Sequence, residues 1–232
     1  MTRLCFKIDM WLLILALLGI AAFIVWIGER HAGADWGSAY INWLDGWTRL
    51  ICRFWHGLKY TQLNLPDKGG AIVVANHVSG LDPFLLASAS RRPLRFLIAR
   101  EQYERRGLRW LFKAAGCIPV DRAGKPEQAL RQALRALAQG EVIALFPHGT
   151  IHLDTDPPRR IKGGVVRLAA WSQAPVYPVR IDGVAAEGKV MLAPFKPSRV
   201  TLTLTPPIRV TGTELVKALE EITLAIETPV TK

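Results

Sequence analysis

Residues 71–83 read AIVVANHVSGLDP, and the change of character within this stretch indicates the architecture of the chain. The first five residues are all apolar, which is typical of a strand buried on both faces of a parallel sheet. The strand then opens into a loop that contains His77 and Asp82, and Pro83 follows where a helix can begin. Because ligands collect at the carboxyl ends of such strands, this loop is the first candidate for a functional site.

The same alternation of short apolar runs and helical patterns continues along the rest of the chain. It predicts an α/β fold over residues 61–232, a layered domain with a largely parallel mixed sheet flanked by helices. The predicted strands are residues 71–75, 94–99, 117–121, 142–146, 176–181 and 200–205, and the predicted helices are residues 83–90, 103–115, 126–138, 164–172 and 215–227.

The N-terminal quarter predicts a membrane anchor. Residues 10–27 carry no charge, and a helix of this length measures about 27 Å, close to the ~30 Å hydrocarbon core of a bilayer. A cleaved signal peptide is the alternative, because Arg3 and Lys7 precede the apolar run and residues 32–34 resemble a cleavage site. The run exceeds the usual ~7–15 apolar residues of a signal peptide, which favours a retained anchor.

Residues 36–58 predict a second helix, because aromatic and aliphatic residues recur every three or four positions on one face. Such a stripe can also belong to a core helix, but tryptophan suits the headgroup boundary and the helix follows an apolar anchor. We therefore expect it to lie in the membrane interface, which makes residues 1–60 a two-helix membrane module. The opposite face is polar, and we expect its cations beside anionic headgroups; its charged residues are Asp45, Arg49, Arg53 and Lys59.

Charge is concentrated in the middle of the chain. The protein has 30 Lys plus Arg and 19 Asp plus Glu, a net charge of +11, and residues 61–212 alone hold 22 basic and 11 acidic side chains. A surface that meets anions is therefore expected in the globular part. Half of the residues are apolar, which excludes wholesale disorder, and three cysteines without paired spacing argue against a disulfide framework or a zinc module.

The loop after the first strand carries a candidate catalytic pair. His77 lies five residues before Asp82, and Gly80 between them allows a turn that brings the two side chains together. A carboxylate on one imidazole nitrogen stabilises the cation that forms when the other nitrogen takes a proton. Such a pair can deprotonate a bound hydroxyl without a serine or cysteine nucleophile. The simpler interpretation is a hydrogen-bonded loop histidine beside a helix N-cap aspartate.

Four short blocks in order give a family resemblance. They are NHVSGLD at residues 76–82, GCIPVDR at 116–122, FPHGT at 146–150 and VYPV at 176–179, with KGG at 162–164 after the third block. Together they resemble the glycerolipid acyltransferases of the 1-acylglycerol-3-phosphate O-acyltransferase (PlsC) type over about residues 60–210. The common nucleotide-binding and serine-hydrolase motifs are absent from the sequence.

This resemblance implies transfer of a fatty acyl group from acyl-CoA or acyl carrier protein to the hydroxyl of a lysophospholipid, with no other cofactor. The most natural acceptor is 1-acyl-sn-glycerol 3-phosphate, and the product is phosphatidic acid. The enzyme would lie at the inner (cytoplasmic) membrane with its catalytic domain facing the cytoplasm. The implied roles are general base for His77, orientation of that base for Asp82, and substrate binding for Arg122, His148, Gly149, Thr150 and Lys162.

The third block departs from the family, because His148 stands where the family has glutamate and the usual arginine after the block is replaced near Ile151. The exchange replaces a carboxylate by an imidazole and so alters the charge offered to the acceptor head group. It also creates a spacing of His148, His152 and Asp154 that could ligate a metal, although two incidental loop histidines are the simpler interpretation and no metal is predicted.

Two further hypotheses remain open from the sequence. One keeps the chemistry but changes the acceptor to a lyso-ornithine lipid or lysophosphatidylethanolamine. The other is a catalytically silent basic protein that binds anionic lipid or nucleic acid through its arginine-rich segment, residues 91–109. No nucleic-acid-binding motif accompanies that segment, so we expect membrane lipids rather than nucleic acid as partners.

Overall fold

A computed structural model describes residues 2–59, 62–124, 126–157, 159–212 and 214–228, with side chains from residue 10 onward. Its centre is a six-stranded sheet in the order β3-β2-β4-β1-β5-β6. Every neighbouring pair is parallel except β5 and β6, so the predicted largely parallel mixed sheet is confirmed. The strands are β1 (Ala71–Ala75), β2 (Leu94–Ala99), β3 (Ile118–Val120), β4 (Val142–Leu145), β5 (Val176–Asp182) and β6 (Thr201–Leu204).

Helices cover both faces of this sheet and create two cores. Successive residues of β1 point to opposite faces, so Val73 lies in one core and Ile72 in the other. The first core includes α2, α3 and a short 3₁₀ turn, and the second includes α6, α7 and α8. The helices are α1 (Thr2–His31), α2 (Ala39–Phe54), α3 (Asp82–Ala89), α4 (Arg100–Tyr103), α5 (Arg109–Ala114), α6 (Pro126–Ala138), α7 (Gly164–Ser172) and α8 (Leu215–Glu227), and the 3₁₀ turn is Ala193–Phe195.

The single helix predicted over residues 103–115 is wrong. The structure has two short helices there, α4 and α5, joined by a turn. Gly107 adopts a φ of +82° in that turn, a left-handed conformation that ends helical propagation and that glycine reaches without steric cost. Leu108 and Trp110, which follow this turn, are exposed.

The N-terminal segment forms a helical hairpin. The part of α1 from Met10 to His31 is long and apolar enough to cross a membrane, and its most apolar 18 residues are not buried within the protein. A signal sequence passes the same test of length and composition. The second helix returns along the C-terminal half of α1, where the indole N–H groups of Trp43 and Trp47 both donate to the carbonyl of Ile24 at 3.2 Å. These two tryptophans therefore contact α1, and their position at the headgroup boundary stays a prediction.

Two of the four charged residues predicted on the polar face of α2, Asp45 and Arg49, bind within the protein, whereas Arg53 and Lys59 are exposed. Asp45 is almost fully buried and accepts hydrogen bonds from the N–H groups of Gly33 and Ala34. Arg49 binds Asp45 at 2.7 Å and donates to three carbonyl oxygens at the end of α3. Because helix C-termini leave carbonyl groups without helical partners, a buried cation satisfies them. Arg49 therefore fastens α2 to the α/β unit and does not face headgroups.

The division of the chain at residues 60 and 61 stays a prediction, because Tyr60 and Thr61 lie outside the described residues. The side chains of Arg3 and Lys7 also lie outside them. Cys52 of α2 and Leu58 belong to the first core of the sheet, so the second helix of the predicted module shares its core with the α/β unit.

Candidate active site

The loop at the end of β1 brings His77 and Asp82 together. Nδ1 of His77 donates to Oδ2 of Asp82 at 2.7 Å, because an ionised carboxylate can only accept. The carboxylate is fully buried, whereas the imidazole keeps 20% of its surface exposed. Among the described residues no hydrogen bond to Nε2 of His77 is found, so the second ring nitrogen can take part in proton transfer.

Asp82 is held by a dense set of donors. Besides His77, Oδ2 accepts from the backbone N–H groups of Val78 and Ser79 at 2.7 and 2.9 Å, and Oδ1 accepts from the Ser79 hydroxyl at 2.7 Å. The carboxylate thus points back into the loop, and Asp82 is the first residue of α3 instead of its N-cap. These four hydrogen bonds fix the side chain in one position, and it in turn fixes the orientation and tautomer of the imidazole.

The sheet and its neighbouring loops position the pair from the other sides. The Asn76 side chain exchanges two hydrogen bonds with the backbone of Ile181, which ties the loop to β5. The His77 ring stacks on Phe146 with centroids 4.2 Å apart, and the His77 carbonyl accepts from the N–H of His152 at 2.8 Å. The first and third sequence blocks therefore meet at His77.

Three of the predicted binding residues converge beside the third block. A guanidinium N–H of Arg122 donates to the carbonyl of Gly149. Gly149 has a φ of +78°, and a Cβ at this position would lie 2.8 Å from Nζ of Lys162. The glycine therefore permits both the turn and the close approach of the lysine. Arg122 also forms a 3.7 Å ion pair with Glu101. The side chains of Arg122 and Lys162 are both exposed. The result is a positive site on the surface, suited to an anionic headgroup.

The backbone N–H of Gly149 is not available for an oxyanion, because it donates to the carbonyl of Phe146 at 3.0 Å.

Arg159 is a cation that the sequence did not single out. Its Nη1 donates to the hydroxyl of Thr150 at 3.0 Å, so it stands beside the block that lacks the usual arginine near Ile151. No sequence signal could place it there, since residues 150 and 159 are joined by an irregular loop. Thr150 itself is exposed next to this third cation.

The side chain of His148 is buried and contacts α8. Its Nε2 donates to Glu227 of α8 at 2.9 Å, its ring stacks on His152 at 4.6 Å, and its Nδ1 is buried without a hydrogen-bond partner among the described residues. Burial, followed by the nearby His152, lowers the pKa of His148, while the hydrogen bond to Glu227 opposes this effect. The imidazole of His148 is therefore bound to the Glu227 carboxylate of α8.

The spacing of His148, His152 and Asp154 does not produce a metal site. Asp154 turns to Arg180, which binds it at 2.5 Å, and the two histidines stack face to face. Within the ranges that the structure describes, no three His, Cys, Asp or Glu side chains come together closely enough to hold a metal ion.

Comparison with known proteins gives the family. The family model described as "Acyltransferase" matches residues 58–182, more than half of the chain, and spans all of the site residues above. The chain belongs to the acyltransferase family. The resemblance drawn from the four blocks is thereby confirmed, and the protein is an acyltransferase.

Individual relatives agree with this assignment. The acyltransferase is 25% identical over 162 residues to a Bacillus subtilis protein named 1-acyl-sn-glycerol-3-phosphate acyltransferase, covering 69% of this chain and 78% of the relative. A Mycoplasma genitalium protein named "Probable 1-acyl-sn-glycerol-3-phosphate acyltransferase" is 33% identical over 136 residues, covering 55% of this chain and half of the relative.

A solved structure supports the fold. The acyltransferase matches a Thermotoga maritima structure titled as the PlsC acyltransferase with a TM-score of 0.60, over 95% of this chain and 94% of that one. The sequence identity is 20%, so this likeness bears on the fold alone. The match includes most of the N-terminal hairpin, whose exposed apolar helix is consistent with membrane association.

Proposed function

We propose that this acyltransferase acylates 1-acyl-sn-glycerol 3-phosphate to phosphatidic acid, with acyl-CoA or acyl carrier protein as the donor. One observation carries the proposal: a buried Asp82, which accepts four hydrogen bonds, holds Nδ1 of a partly exposed His77. The names of the relatives support the acceptor, since two of them are named for this reaction.

The chemistry follows from that pair. Nε2 of His77 takes the proton of the acceptor hydroxyl while the oxygen attacks the carbonyl carbon of the thioester. The C–O bond forms, the C–S bond breaks, and the imidazolium returns its proton to the leaving thiolate. Asp82 stabilises the imidazolium during this sequence and keeps the proton of Nδ1 in place. No covalent acyl-enzyme intermediate is required.

We propose that the acceptor phosphate binds at a positively charged site beside Gly149. Arg122 and Lys162 meet at Gly149, and Arg159 stands beside the adjacent Thr150. A guanidinium offers two parallel N–H groups to a phosphate, and the lysine adds a point charge. We assign Arg122 to the acceptor phosphate, with Lys162 and Arg159 as flanking cations.

Acyl donors are cytosolic, so the proposed location is the inner membrane with the α/β domain facing the cytoplasm. In a re-entrant hairpin α1 dips into the bilayer and α2 returns along the inner interface, which keeps the start of α1 and the end of α2 on the same side. A cysteine replacing Thr2 would then be shielded from an impermeant reagent added to intact cells. Labelling of this cysteine from outside, with the α/β domain protected, would establish a single span instead.

The replaced glutamate of the third block favours testing a second acceptor. His148 brings an imidazole and the Glu227 carboxylate to a place where the family has one carboxylate. A different lyso-lipid, such as lysophosphatidylethanolamine or a lyso-ornithine lipid, is therefore the second candidate.

A panel assay separates these candidates. Purified enzyme is given radiolabelled acyl-CoA or acyl carrier protein together with each lyso-lipid, and the diacyl product is quantified. We expect the highest kcat/KM with 1-acyl-sn-glycerol 3-phosphate, and a selective loss for phosphate-bearing acceptors in Arg122→Ala. Preference for another lyso-lipid would replace the acceptor, and inactivity on the whole panel would favour a silent lipid-binding protein.

A further inference from the structure

An apolar surface lies on the same side of the sheet as His77 and has no partner within the described part of the chain. Its centre is the segment Lys189–Lys196, KVMLAPFK, in which four large apolar side chains are about half exposed or more. Two residues at the start of α5 extend it. We call this surface the apolar patch; its members are Leu108, Trp110, Val190, Met191, Leu192 and Phe195.

Two contacts connect the parts of the patch with their neighbours and with α2. Trp110 contacts the ring of Tyr40 at 5.5 Å, which joins α5 to the beginning of α2. Arg105 approaches the sulfur of Met191 at 3.9 Å, which joins the turn before α5 to the segment 189–196. Since α2 packs against α1, the patch continues the exposed apolar surface of the N-terminal hairpin.

Cations surround the patch. Lys189 and Lys196 flank the apolar segment and are both exposed, and Arg105 and Arg106 are exposed beside α5. Apolar and aromatic side chains ringed by Lys and Arg are the composition of segments that enter the interface of anionic bilayers. A protein partner would bury such a patch equally well, but the charge and the continuity with α1 favour a lipid surface.

The patch is also attached directly to the catalytic loop. The N–H of Gly188 donates to the carbonyl of Val78 at 2.8 Å. Gly80 contacts the Val190 backbone so closely that a Cβ there would lie 2.1 Å from its carbonyl oxygen. A surface that binds the segment 189–196 therefore lies next to the loop of His77 and Asp82.

We propose that the apolar patch is a second membrane contact, separate from α1, which enters the headgroup region of an anionic bilayer. This contact places the catalytic loop at the lipid surface, where an acceptor can reach His77 while its acyl chain stays in the bilayer. The inference shares with the proposed function the assumption that the chain works at a membrane. Its test needs no enzymatic activity, so the two can fail independently.

The test places an environment-sensitive fluorophore on the full chain bound to vesicles. Leu192→Cys is labelled in a protein that also carries Cys5→Ser. The other two cysteines, Cys52 and Cys117, are buried. Burial raises the pKa of both thiols to about 11, so they resist labelling. Leu224→Cys is the matched control, because Leu224 is similarly exposed (65% against 56%) and lies on α8, which covers the opposite face of the sheet. Phe195→Cys provides a second position in the patch.

On vesicles of phosphatidylglycerol and phosphatidylcholine, both patch labels should shift to shorter wavelength and be quenched by brominated acyl chains. The label at residue 224 should stay in water although the protein is equally bound through α1. Replacing Lys189 and Lys196 by glutamine should reduce quenching at residue 192 without detaching the protein. Equal solvent exposure of the labels at residues 192 and 224 on vesicles would overturn the proposal. An emission shift at residue 192 that depends on protein concentration in the absence of vesicles would also overturn it, and would assign the patch to contact with a second copy of the chain.

Discussion

Replacing Asp82 by asparagine removes one negative charge from the centre of the catalytic loop and changes its shape very little. An asparagine whose carbonyl oxygen takes the place of Oδ2 still accepts from His77, Val78 and Ser79. Its amide then faces the Ser79 hydroxyl, which can rotate to accept. The variant should therefore fold and keep the imidazole in place, and it isolates the contribution of the charge.

The size of the effect follows from the geometry. With Nδ1 2.7 Å from Oδ2, the charge centres of an imidazolium and the carboxylate lie about 4 Å apart, and two unit charges at that distance interact by about 4 kcal/mol at an effective dielectric constant of 20. This stabilisation exists only once His77 has taken the proton. Since about 1.4 kcal/mol corresponds to a tenfold rate, Asp82→Asn should lower kcat by roughly 10³-fold.

The assay is the initial rate of diacyl product formation at saturating acceptor, with thermal unfolding as the check on folding. Ser79→Ala is the control, since it removes a hydrogen bond from the same carboxylate but keeps the charge. It should cost about 1 kcal/mol of stability and less than about tenfold in kcat. A folded Asp82→Asn enzyme within tenfold of the unmodified rate would refute the charge argument.

Changes at three other residues, Arg122, His148 and Arg49, test other parts of the structure. Arg122→Ala should raise KM for a phosphate-bearing acceptor about tenfold and leave KM for the donor unchanged, with Arg122→Lys rescuing in part; equal effects on both substrates would give Arg122 another role. His148→Glu should destabilise the fold by roughly 1–3 kcal/mol because it places a carboxylate against Glu227, and the exchange of both residues should restore stability, as measured by urea unfolding. The lowered pKa of His148 means that the unfolded chain binds more protons, so stability is complete above pH 6.5 and falls as the pH drops through the folded pKa; His148→Gln should weaken that fall. Arg49→Met should cost about 3 kcal/mol or more because it leaves Asp45 buried without its cation, and adding Asp45→Asn should recover part of that loss.

The contact between His77 and Asp82 could be predicted because its determinants are local. A continuous apolar run marks the end of a buried strand, and a histidine and a carboxylate five residues apart can meet across one turn. The sheet follows for the same reason, since each strand and helix carries its own periodicity. The family blocks added Arg122, Gly149 and Lys162, which the structure brings together from β3, the third block and the loop before α7.

What the sequence could not supply depends on contacts between distant segments. The stripe of Asp45 and Arg49 looks the same whether it faces water or the carbonyl groups at the end of α3. His148 finds its carboxylate 79 residues away on α8, and Arg159 reaches Thr150 through an irregular loop. Amphipathic periodicity identifies which residues share a face, but it contains no information about what covers that face.

The most direct test of the catalytic role of His77 is the single-turnover rate of acyl transfer to 1-acyl-sn-glycerol 3-phosphate by His77→Ala, measured beside His152→Gln. His152 contacts His77 only through its backbone N–H, so its side chain can change without moving the base. We predict a rate about 10²–10⁴-fold lower for His77→Ala at unchanged folding, and a nearly normal rate for His152→Gln. A folded His77→Ala enzyme that transfers the acyl group at the rate of the unmodified protein would contradict the mechanism.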